Sequence, residues 1–221
     1  MSPFLILGVL LFAAIILYLG WFGIGSGDSG RYDIVKGSQR GEVTRSDSAL
    51  LPRSYNQPQG LTYSYSGWML VKNFTLGYGT RRRVFSRDDA PGLYLDSTSN
   101  SLMVNVNTFG ATETILIPNI PAQKWIHFAI VVDQHSVDIY INGMLRQHQT
   151  LNQLPKQNES PVVMGGGWDG VLARLSYWNR SLTPAAVKDL AAEAVPDDLD
   201  RRPSGPQYFD ITWYVGRLNS V

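Results

Sequence analysis

Few side chains of this sequence could do chemistry, and those few are scattered. The chain has no cysteine, which excludes a thiolate zinc site, a cysteine nucleophile and disulfides. Glycoside hydrolysis needs two carboxylates held close together, whereas each glutamate here stands alone, and the histidines are not spaced with carboxylates as metal ligands. These residues are Glu42, Glu113, Glu159, Glu193, His127, His135 and His148. The sequence therefore predicts a protein that is not an enzyme and has no resident cofactor.

The overall charge gives no reason to expect nucleic acid as a partner. The formal net charge is +1, and binding to a phosphate backbone depends on many clustered cations. The one basic cluster is Arg81-Arg82-Arg83, which lies between two strand-like runs. We interpret this cluster as a solvated loop.

Short β-rich runs separated by turn residues dominate the sequence from Leu61 onward, which is typical of an antiparallel sandwich. The clearest turn is Asn142-Gly143, a strong hairpin signal. The predicted strands are Leu61–Val71, Arg83–Ser86, Gly92–Asp96, Leu102–Val106, Thr114–Ile117, Trp125–Asp133, Ser136–Ile141, Met144–Gln149, Val162–Gly165 and Val171–Trp178, with Tyr32–Val35 as a further short one.

One helix is predicted in this part of the chain, at Leu182–Ala194. Either Ser181 or Thr183 could cap its beginning, Pro184 suits its first turn, and Pro196 would end it. Beyond it the tail is polar and then alternates apolar residues up to Val215. Two alternatives remain for this tail. It adds a strand to its own sandwich, or Trp213 and Tyr214 bind a partner.

The beginning of the chain reads as a membrane anchor. The run from Pro3 to Ile24 carries no charge, and as a helix it would span roughly 33 Å, enough for the hydrocarbon core of a bilayer. No basic segment precedes it and no small-residue cleavage pattern follows it, which argues against a signal peptide. We therefore predict an anchor at residues 1–25, a linker at 26–58, a sandwich at 59–195 and a tail at 196–221, with the lipid bilayer as partner of residues 3–24.

The charges beside this run predict its orientation. Arg31, Lys36 and Arg40 follow the run and no Lys or Arg precedes it. The excess of basic residues favours the cytoplasmic side for the bulk of the chain. The chain also has N-x-S/T sequons at Asn73, Asn158 and Asn179. They would matter only if the domain were translocated.

Four blocks of sequence occur in the order found in one known family. They are Leu61 to Met69, Ile117 to Asp133, Val137 to Gly143 and Val163 to Thr183. Together they resemble the laminin-G-like domains of the concanavalin A-like lectin/glucanase superfamily, over residues 61–190. The resemblance implies an all-β, two-sheet antiparallel jelly-roll sandwich. In it Trp68, Trp125 and Trp178 would fill the core between the sheets, and His127 would be a sheet-packed, hydrogen-bonded histidine.

The resemblance also suggests possible ligands. Glucanase members carry an E-x-D-x-x-E strand, which this sequence lacks, so a glucanase is only a remote alternative. Some laminin-G-like domains bind calcium or sugars at one rim. The weak calcium candidates here are Asp88, Asp89, Asp96, Asn105 and Asp169. Tyr78 and Trp168 could stack on a sugar, or could pack in the core or a loop instead.

Two hypotheses for the function follow. In the first, the domain is a membrane-anchored structural module that binds neighbouring structural proteins. A minor structural protein linking the inner membrane of a virus particle to its capsid would fit the predicted topology. In the second, it is a membrane-anchored, lectin-like protein that binds a glycan or matrix, with calcium possible.

Overall fold

Two antiparallel sheets packed face to face form the described part of the protein, and one helix in this part lies on the outside of one sheet. A computed structural model describes residues 30–57 and 60–196. The eight-stranded sheet contains β1 (Arg31–Asp33), β2 (Ser38–Arg40), β4 (Tyr55–Gln57), β5 (Gly60–Asn73), β10 (Trp125–Asp133), β11 (Ser136–Ile141), β12 (Met144–Thr150) and β14 (Asp169–Trp178). The six-stranded sheet contains β3 (Arg45–Asp47), β6 (Arg82–Ser86), β7 (Gly92–Leu95), β8 (Leu102–Val106), β9 (Glu113–Ile117) and β13 (Val162–Met164). The predicted all-β sandwich is confirmed.

The strand order places β5 in the middle of the larger sheet. That sheet runs β1-β14-β5-β10-β11-β12, with β2 paired to β14 and β4 to β5, and the smaller sheet runs β3-β13-β6-β7-β8-β9. The 14-residue β5 pairs along one side with β10, where His127 lies opposite Trp68. Along its other side it pairs with β14, where Trp178 lies opposite Ser64.

Aromatic rings fill the space between the two sheets. Alternate residues of β10, such as Phe128, point inward because successive side chains of a strand face opposite sides. The ring of Phe85 on the smaller sheet stacks on Tyr65 at 5.3 Å and on Phe128 at 5.9 Å between centroids. Burying each such side chain stabilises the fold by about 1.5–3 kcal/mol. The inner faces of the two sheets are therefore filled by core side chains. A ligand would have to bind at the loops or on the outer faces of the sheets.

Helix α1 (Pro184–Ala191) covers a second apolar cluster on the outer face of the eight-stranded sheet, where Val187 packs over Trp178. Of the two predicted caps, Thr183 is the one used, since its Oγ1 accepts a hydrogen bond from Ala186 N at 3.2 Å. The helix ends at Ala191 through backbone bonds of Ala192, so Pro196 is not the residue that stops it.

The predicted tryptophan core needs a correction. Trp178 is buried under α1, Trp68 lies edge-on to His127, and Trp125 is only half-buried. The tryptophan between the sheets is Trp168, which is fully buried. Its indole fits because Gly41 and Gly170 pack against it, where a Cβ atom would clash with the ring. The prediction, which rested on the resemblance, failed because a motif tryptophan does not show which face of its strand the other sheet covers.

The segment predicted as a linker, residues 26–58, contributes strands to both sheets over its described part. Besides β1, which partly matches the predicted Tyr32–Val35, it forms β2, β3 and β4. β2 and β3 have the polar sequences SQR and RSD. They are stabilised by backbone hydrogen bonds to β14 and β13. Their residues do not alternate between apolar and polar, so they could not be predicted from hydrophobic periodicity.

The predicted turns are confirmed. Asn142 and Gly143 have φ values of 51° and 77°, as the hairpin between β11 and β12 requires. Gly165 to Gly167 connect β13 to β14 with positive φ angles, as expected for a turn between strands.

His127 is the sheet-packed histidine that the sequence predicts. It is buried, and its Nε2 lies 2.8 Å from Ser66 Oγ. Its backbone N–H donates to Asn142 Oδ1 at 2.9 Å, which ties the β11–β12 turn to the sheet. Burial lowers the pKa of the His127 imidazole to about 4. The side chain is therefore neutral at physiological pH.

No helix within residues 30–57 and 60–196 is long and apolar enough to cross a membrane. The predicted anchor at residues 3–24 lies outside this part of the chain, as do Trp213 and Tyr214 in the tail.

Candidate binding site

Loops from three connections meet at one end of the sandwich. They are the β6–β7 turn at 87–91, the β8–β9 loop at 107–112 and the β12–β13 connection at 151–161. Backbone hydrogen bonds join them: Asn107 N donates to Asp89 O at 2.6 Å, and Lys156 N donates to Asn107 O at 2.8 Å. These loops therefore form one fixed surface, which we call the loop end.

Asp89 holds the β6–β7 turn in place. Asp88 and Asp89 have φ values of 51° and 55°, a conformation that Asp tolerates in turns. The Asp89 carboxylate accepts from the Tyr94 hydroxyl at 2.5 Å and from Asn105 Nδ2 at 3.1 Å. Burial and this carboxylate raise the pKa of the Tyr94 hydroxyl. The Asp89 carboxylate thus stabilises the turn, whereas the side chain of Asp88 is exposed.

On one side of this turn lies a cavity of about 440 Å³, which we call the aromatic pocket. Its lining residues are Arg53, Ser54, Leu61, Asp88, Asn107, Phe109, Lys156, Gln157 and Asn158. The Phe109 side chain is 69% exposed, and Lys156 Nζ lies 5.3 Å from its ring centroid. Ser54 also lines this pocket, but its side chain is buried and its Oγ is not exposed to the cavity.

Hydrogen bonds fix the amide side chains of the aromatic pocket. Gln157 Oε1 accepts from Ser54 N at 3.0 Å, and its Nε2 donates to the Tyr177 hydroxyl at 2.9 Å. Asn158 Nδ2 donates to Arg87 O at 2.9 Å. The polar wall of the pocket is therefore preorganised, which lowers the entropic cost of binding.

A second cavity of about 460 Å³ lies on the other side of the turn, and we call it the arginine pocket. It is lined by Arg81, Arg83, Ser86, Asp88, Asp89, Tyr94, Ser160, Pro161 and Val163. The arginine triplet is therefore not simply a solvated loop, because Arg82 and Arg83 belong to β6 and Arg81 directly precedes it. Arg82 turns inward and is buried, whereas Arg81 and Arg83 both face this pocket.

A buried arginine lies behind the loop end. Arg87 is 2% exposed, and its Nε donates to Ser160 O at 3.1 Å, so it holds the 156–161 segment against the sheet. It lies near the hydroxyls of Tyr65 and Tyr177. Burial raises the pKa of Tyr177 to about 12. These tyrosines stay neutral, and their role is to pack around the guanidinium.

The five predicted calcium candidates divide between the two ends of the sandwich. Asp88, Asp89 and Asn105 lie at the loop end, whereas Asp96 and Asp169 belong to the opposite end. Asp96 accepts from Ser99 N at 2.9 Å, and hydrogen bonds from Ser99 lower the pKa of its carboxyl. Asp169 accepts from Asn73 Nδ2.

No group of three His, Cys, Asp or Glu side chains in the described ranges is placed to hold a metal. Calcium binding therefore remains a prediction from the resemblance, and the structure brings only part of the candidate set together.

The predicted sugar-stacking residues also separate. Trp168 is buried in the core, so it packs there and cannot stack on a sugar. Tyr78 is 65% exposed, but it lies at the end of the sandwich opposite the loop end. Sequence reasoning missed Phe109 and Lys156. The available signal was an aromatic residue in the loop Asn107-Thr108-Phe109-Gly110 between two strands, where no core position is expected.

The three sequon asparagines differ in exposure on the folded domain. Asn179 is buried, and the side chain of Asn158 is engaged with Arg87 O. Asn73 is exposed. The structure therefore makes Asn73 the informative position for a glycosylation test of topology.

The family model described as the concanavalin A-like lectin/glucanases superfamily, of laminin-G type, matches residues 42–188. The chain belongs to this superfamily. The match begins within the segment that supplies β2 and β3, in agreement with the strands found there. No curated protein matches the sequence.

Solved structures with the same fold include binding domains of botulinum neurotoxins. The serotype D binding domain superposes with a TM-score of 0.54 at 11% identity, over 73% of this chain and 41% of that one. The receptor binding domain of the mosaic serotype C/D toxin gives 0.52 at 11% identity, over 60% and 36%. The chain spans about two fifths of the length of these domains or less. At this identity the likeness shows the fold alone.

Proposed function

We propose that this domain is a non-catalytic binding module that takes a saccharide in the aromatic pocket. The observation that carries the proposal is an exposed Phe109 ring beside the hydrogen-bonded amides of Gln157 and Asn158 and the exposed carboxylate of Asp88. A sugar ring has an apolar face and a rim of hydroxyl groups. It therefore matches a pocket that offers one aromatic face and convergent polar groups.

The groups around the ring are suited to hydroxyl recognition. Asn107 supplies an amide and Asp88 supplies a carboxylate acceptor, whereas the Asn158 amide is already bonded to Arg87 O and Ser160 N. A cavity of about 440 Å³ lies within the size range of small-ligand sites. The names of the solved relatives support binding as the general role, since several are receptor binding domains.

Hydrolysis is not part of this proposal, because three of the four glutamates have other partners and no two of the four are paired. Glu113 accepts from Asn152 N at 2.8 Å, Glu159 pairs with Arg53 at 3.0 Å, and Glu193 lies 3.7 Å from Arg174. A retaining glycosidase needs two carboxylates about 5 Å apart across one bond.

The expected result for Phe109→Ala is a loss of saccharide affinity of roughly tenfold, about 1.4 kcal/mol, because the stacking face disappears. The measurement is binding to a glycan array, followed by calorimetric titration of the strongest hit. The matched control is Tyr78→Ala, another exposed aromatic at the opposite end of the sandwich. If Tyr78→Ala weakens binding and Phe109→Ala does not, the site lies at the wrong end and the proposal fails.

We also propose that residues 3–24 anchor the domain to a membrane, on the strength of their charge-free sequence and the basic residues that follow. The full chain inserted into sealed microsomes is expected to leave the domain open to protease and Asn73 without a glycan. Protection of the domain together with a glycan at Asn73, removed by Asn73→Gln, would reverse the topology. Asn73 carries the test because it is exposed, whereas Asn158 is half-buried and Asn179 is buried.

The topology result also separates two roles for the module. A cytoplasm-facing domain supports a linker between a membrane, such as the inner membrane of a virus particle, and neighbouring structural proteins, with Trp213 and Tyr214 as contact residues. A translocated domain supports a lectin-like protein that binds a glycan or matrix outside the cell.

A further inference from the structure

Arg87 is a buried cation without a counter-charge. Its side chain is 2% exposed, and its Nε donates to Ser160 O at 3.1 Å, but its Nη1 has no hydrogen-bond partner. In the part of the chain that the structure describes, no carboxylate lies within ion-pair distance of this guanidinium. An arginine stays protonated in proteins, and a buried charge is costly unless it is paired.

The carboxylates that are close to Arg87 along the chain, or close to its partner Ser160, are directed elsewhere. Asp88 is exposed, and Asp89 accepts hydrogen bonds from side chains of β7 and β8. Glu159 is exposed and pairs with Arg53 at 3.0 Å. None of these groups balances the buried guanidinium.

Two tyrosine hydroxyls near Arg87 also lack partners. Tyr63 and Tyr65 are fully buried on β5, and the charge of Arg87 acts on both hydroxyls. Neither hydroxyl has a hydrogen-bond partner of standard geometry. Burial raises the pKa of both phenols, so neither can serve as a phenolate counter-ion. The Arg87 Nη1 group and these two hydroxyls are therefore donors left unpaired in one buried region.

The other buried arginine shows how this fold can satisfy a guanidinium from its own atoms. Arg82 donates from its Nη groups to the carbonyl oxygens of Phe74, Leu76 and Asp96. Among the described residues, the side chain of Arg87 has a single carbonyl acceptor. Arg87 is therefore short of acceptors as well as of negative charge.

We propose that a chloride ion, or another small monovalent anion, binds inside the sandwich behind the loop end and accepts hydrogen bonds from Arg87 Nη1 and the hydroxyls of Tyr63 and Tyr65. Donors beside an unbalanced positive charge fit an acceptor that carries a negative charge. A water molecule would pair the donors but leave the charge unbalanced. This site does not depend on the saccharide proposal.

The position of these donors gives the ion a structural role. Tyr63 and Tyr65 belong to the eight-stranded sheet, whereas Arg87 directly follows β6 of the six-stranded sheet. The ion therefore ties the two sheets together. An ion that binds the folded chain and not the unfolded one stabilises the fold in proportion to the logarithm of its concentration.

The first test is urea unfolding of the full chain in chloride, bromide and methanesulfonate salts at equal ionic strength. One halide site is expected to lower the unfolding equilibrium constant about tenfold for each tenfold rise in free halide above its dissociation constant. The bulkier methanesulfonate is expected to have no such effect. Arg87→Met should remove the halide dependence, whereas Arg146→Gln, at an exposed position of β12, should keep it.

Tyr63→Phe gives a sharper result because it keeps the ring and removes one donor. Loss of that hydrogen bond is expected to weaken halide affinity about tenfold. The matched control is Tyr94→Phe, a buried tyrosine whose hydroxyl bonds to Asp89, and it should retain the full halide dependence. If no ion lies beside the Tyr63 hydroxyl, Tyr63→Phe would remove an unpaired buried group and raise the unfolding midpoint in every salt, which overturns the proposal.

Crystals of the full chain grown in bromide locate the ion directly. An anomalous-scattering peak between Arg87 and Tyr63 supports the proposal. A peak there without anomalous signal, together with equal unfolding midpoints in the three salts, assigns the position to water and overturns it. A halide dependence that is as strong in Arg87→Met as in the wild type also overturns it, because the ion then binds elsewhere.

Discussion

Replacing Arg82 by methionine is expected to lower the free energy of unfolding by about 3 kcal/mol. The Arg82 side chain is 1% exposed and donates from Nη1 to Phe74 O at 2.7 Å and to Leu76 O at 3.3 Å. Its Nη2 donates to Asp96 O. Methionine retains the apolar stem but leaves these carbonyls without their donor, so two loops lose their common support.

The neighbouring arginine provides the control for this effect. Arg81→Met removes an exposed cation of the same type and is expected to change stability by less than about 0.5 kcal/mol. Arg82→Lys keeps the charge but offers a single donor centre, so it should fall between them. Urea unfolding followed by tryptophan fluorescence measures all three. Equal midpoints for Arg82→Met and Arg81→Met would show that the buried guanidinium is not a structural support.

Acidification is expected to destabilise the domain through His127, by up to about 3 kcal/mol between pH 6.5 and pH 4. The pKa of the folded imidazole is about 4, below its ordinary value of 6.5. Between these values the unfolded chain binds a proton that the folded one excludes. The stability is therefore complete above pH 6.5, is lost as the pH falls toward 4, and changes no further from this group below that.

The pH effect is measured as the slope of the urea midpoint against pH. His127→Gln is expected to remove most of this slope whatever its own stability at neutral pH, and His135→Gln, an exposed histidine, should keep it. A slope that survives in His127→Gln would assign the acid sensitivity to other groups.

The sequence predicts the long strands well because burial makes their side-chain patterns regular. Leu102–Val106 and Trp125–Asp133 were predicted with the bounds observed in β8 and β10. β2 and β3 were not predicted because they are held by backbone hydrogen bonds, which do not require particular side-chain types. Trp168 and Trp178 illustrate what the sequence could not predict. Both are buried, but only the structure shows that Trp168 lies between the sheets and Trp178 lies under α1.

The candidate site was harder to predict because it is assembled from distant loops. Asp88, Asp89 and Asn105 were identified as loop polar residues, and the structure does bring Asp89 and Asn105 into contact. Phe109, Ser54 and Lys156 converge through the β8–β9 and β12–β13 connections, whose conformations depend on hydrogen bonds between them. Arg81 and Arg83 were visible as a cluster, but separating them from Arg82 required the strand register.

The central position of β5 has a consequence for how the protein is made. This strand emerges early, but β14, which pairs with β5 from Ser64 to Asn73, follows much later, and Ser64 Oγ donates to Arg180 O across 116 residues. Pairing over such a separation carries a large loop-closure cost and forms slowly. During translation one edge of β5 stays open until nearly the whole domain has left the ribosome. Nascent chains that stop before β14 therefore expose that edge to other strands or to chaperones.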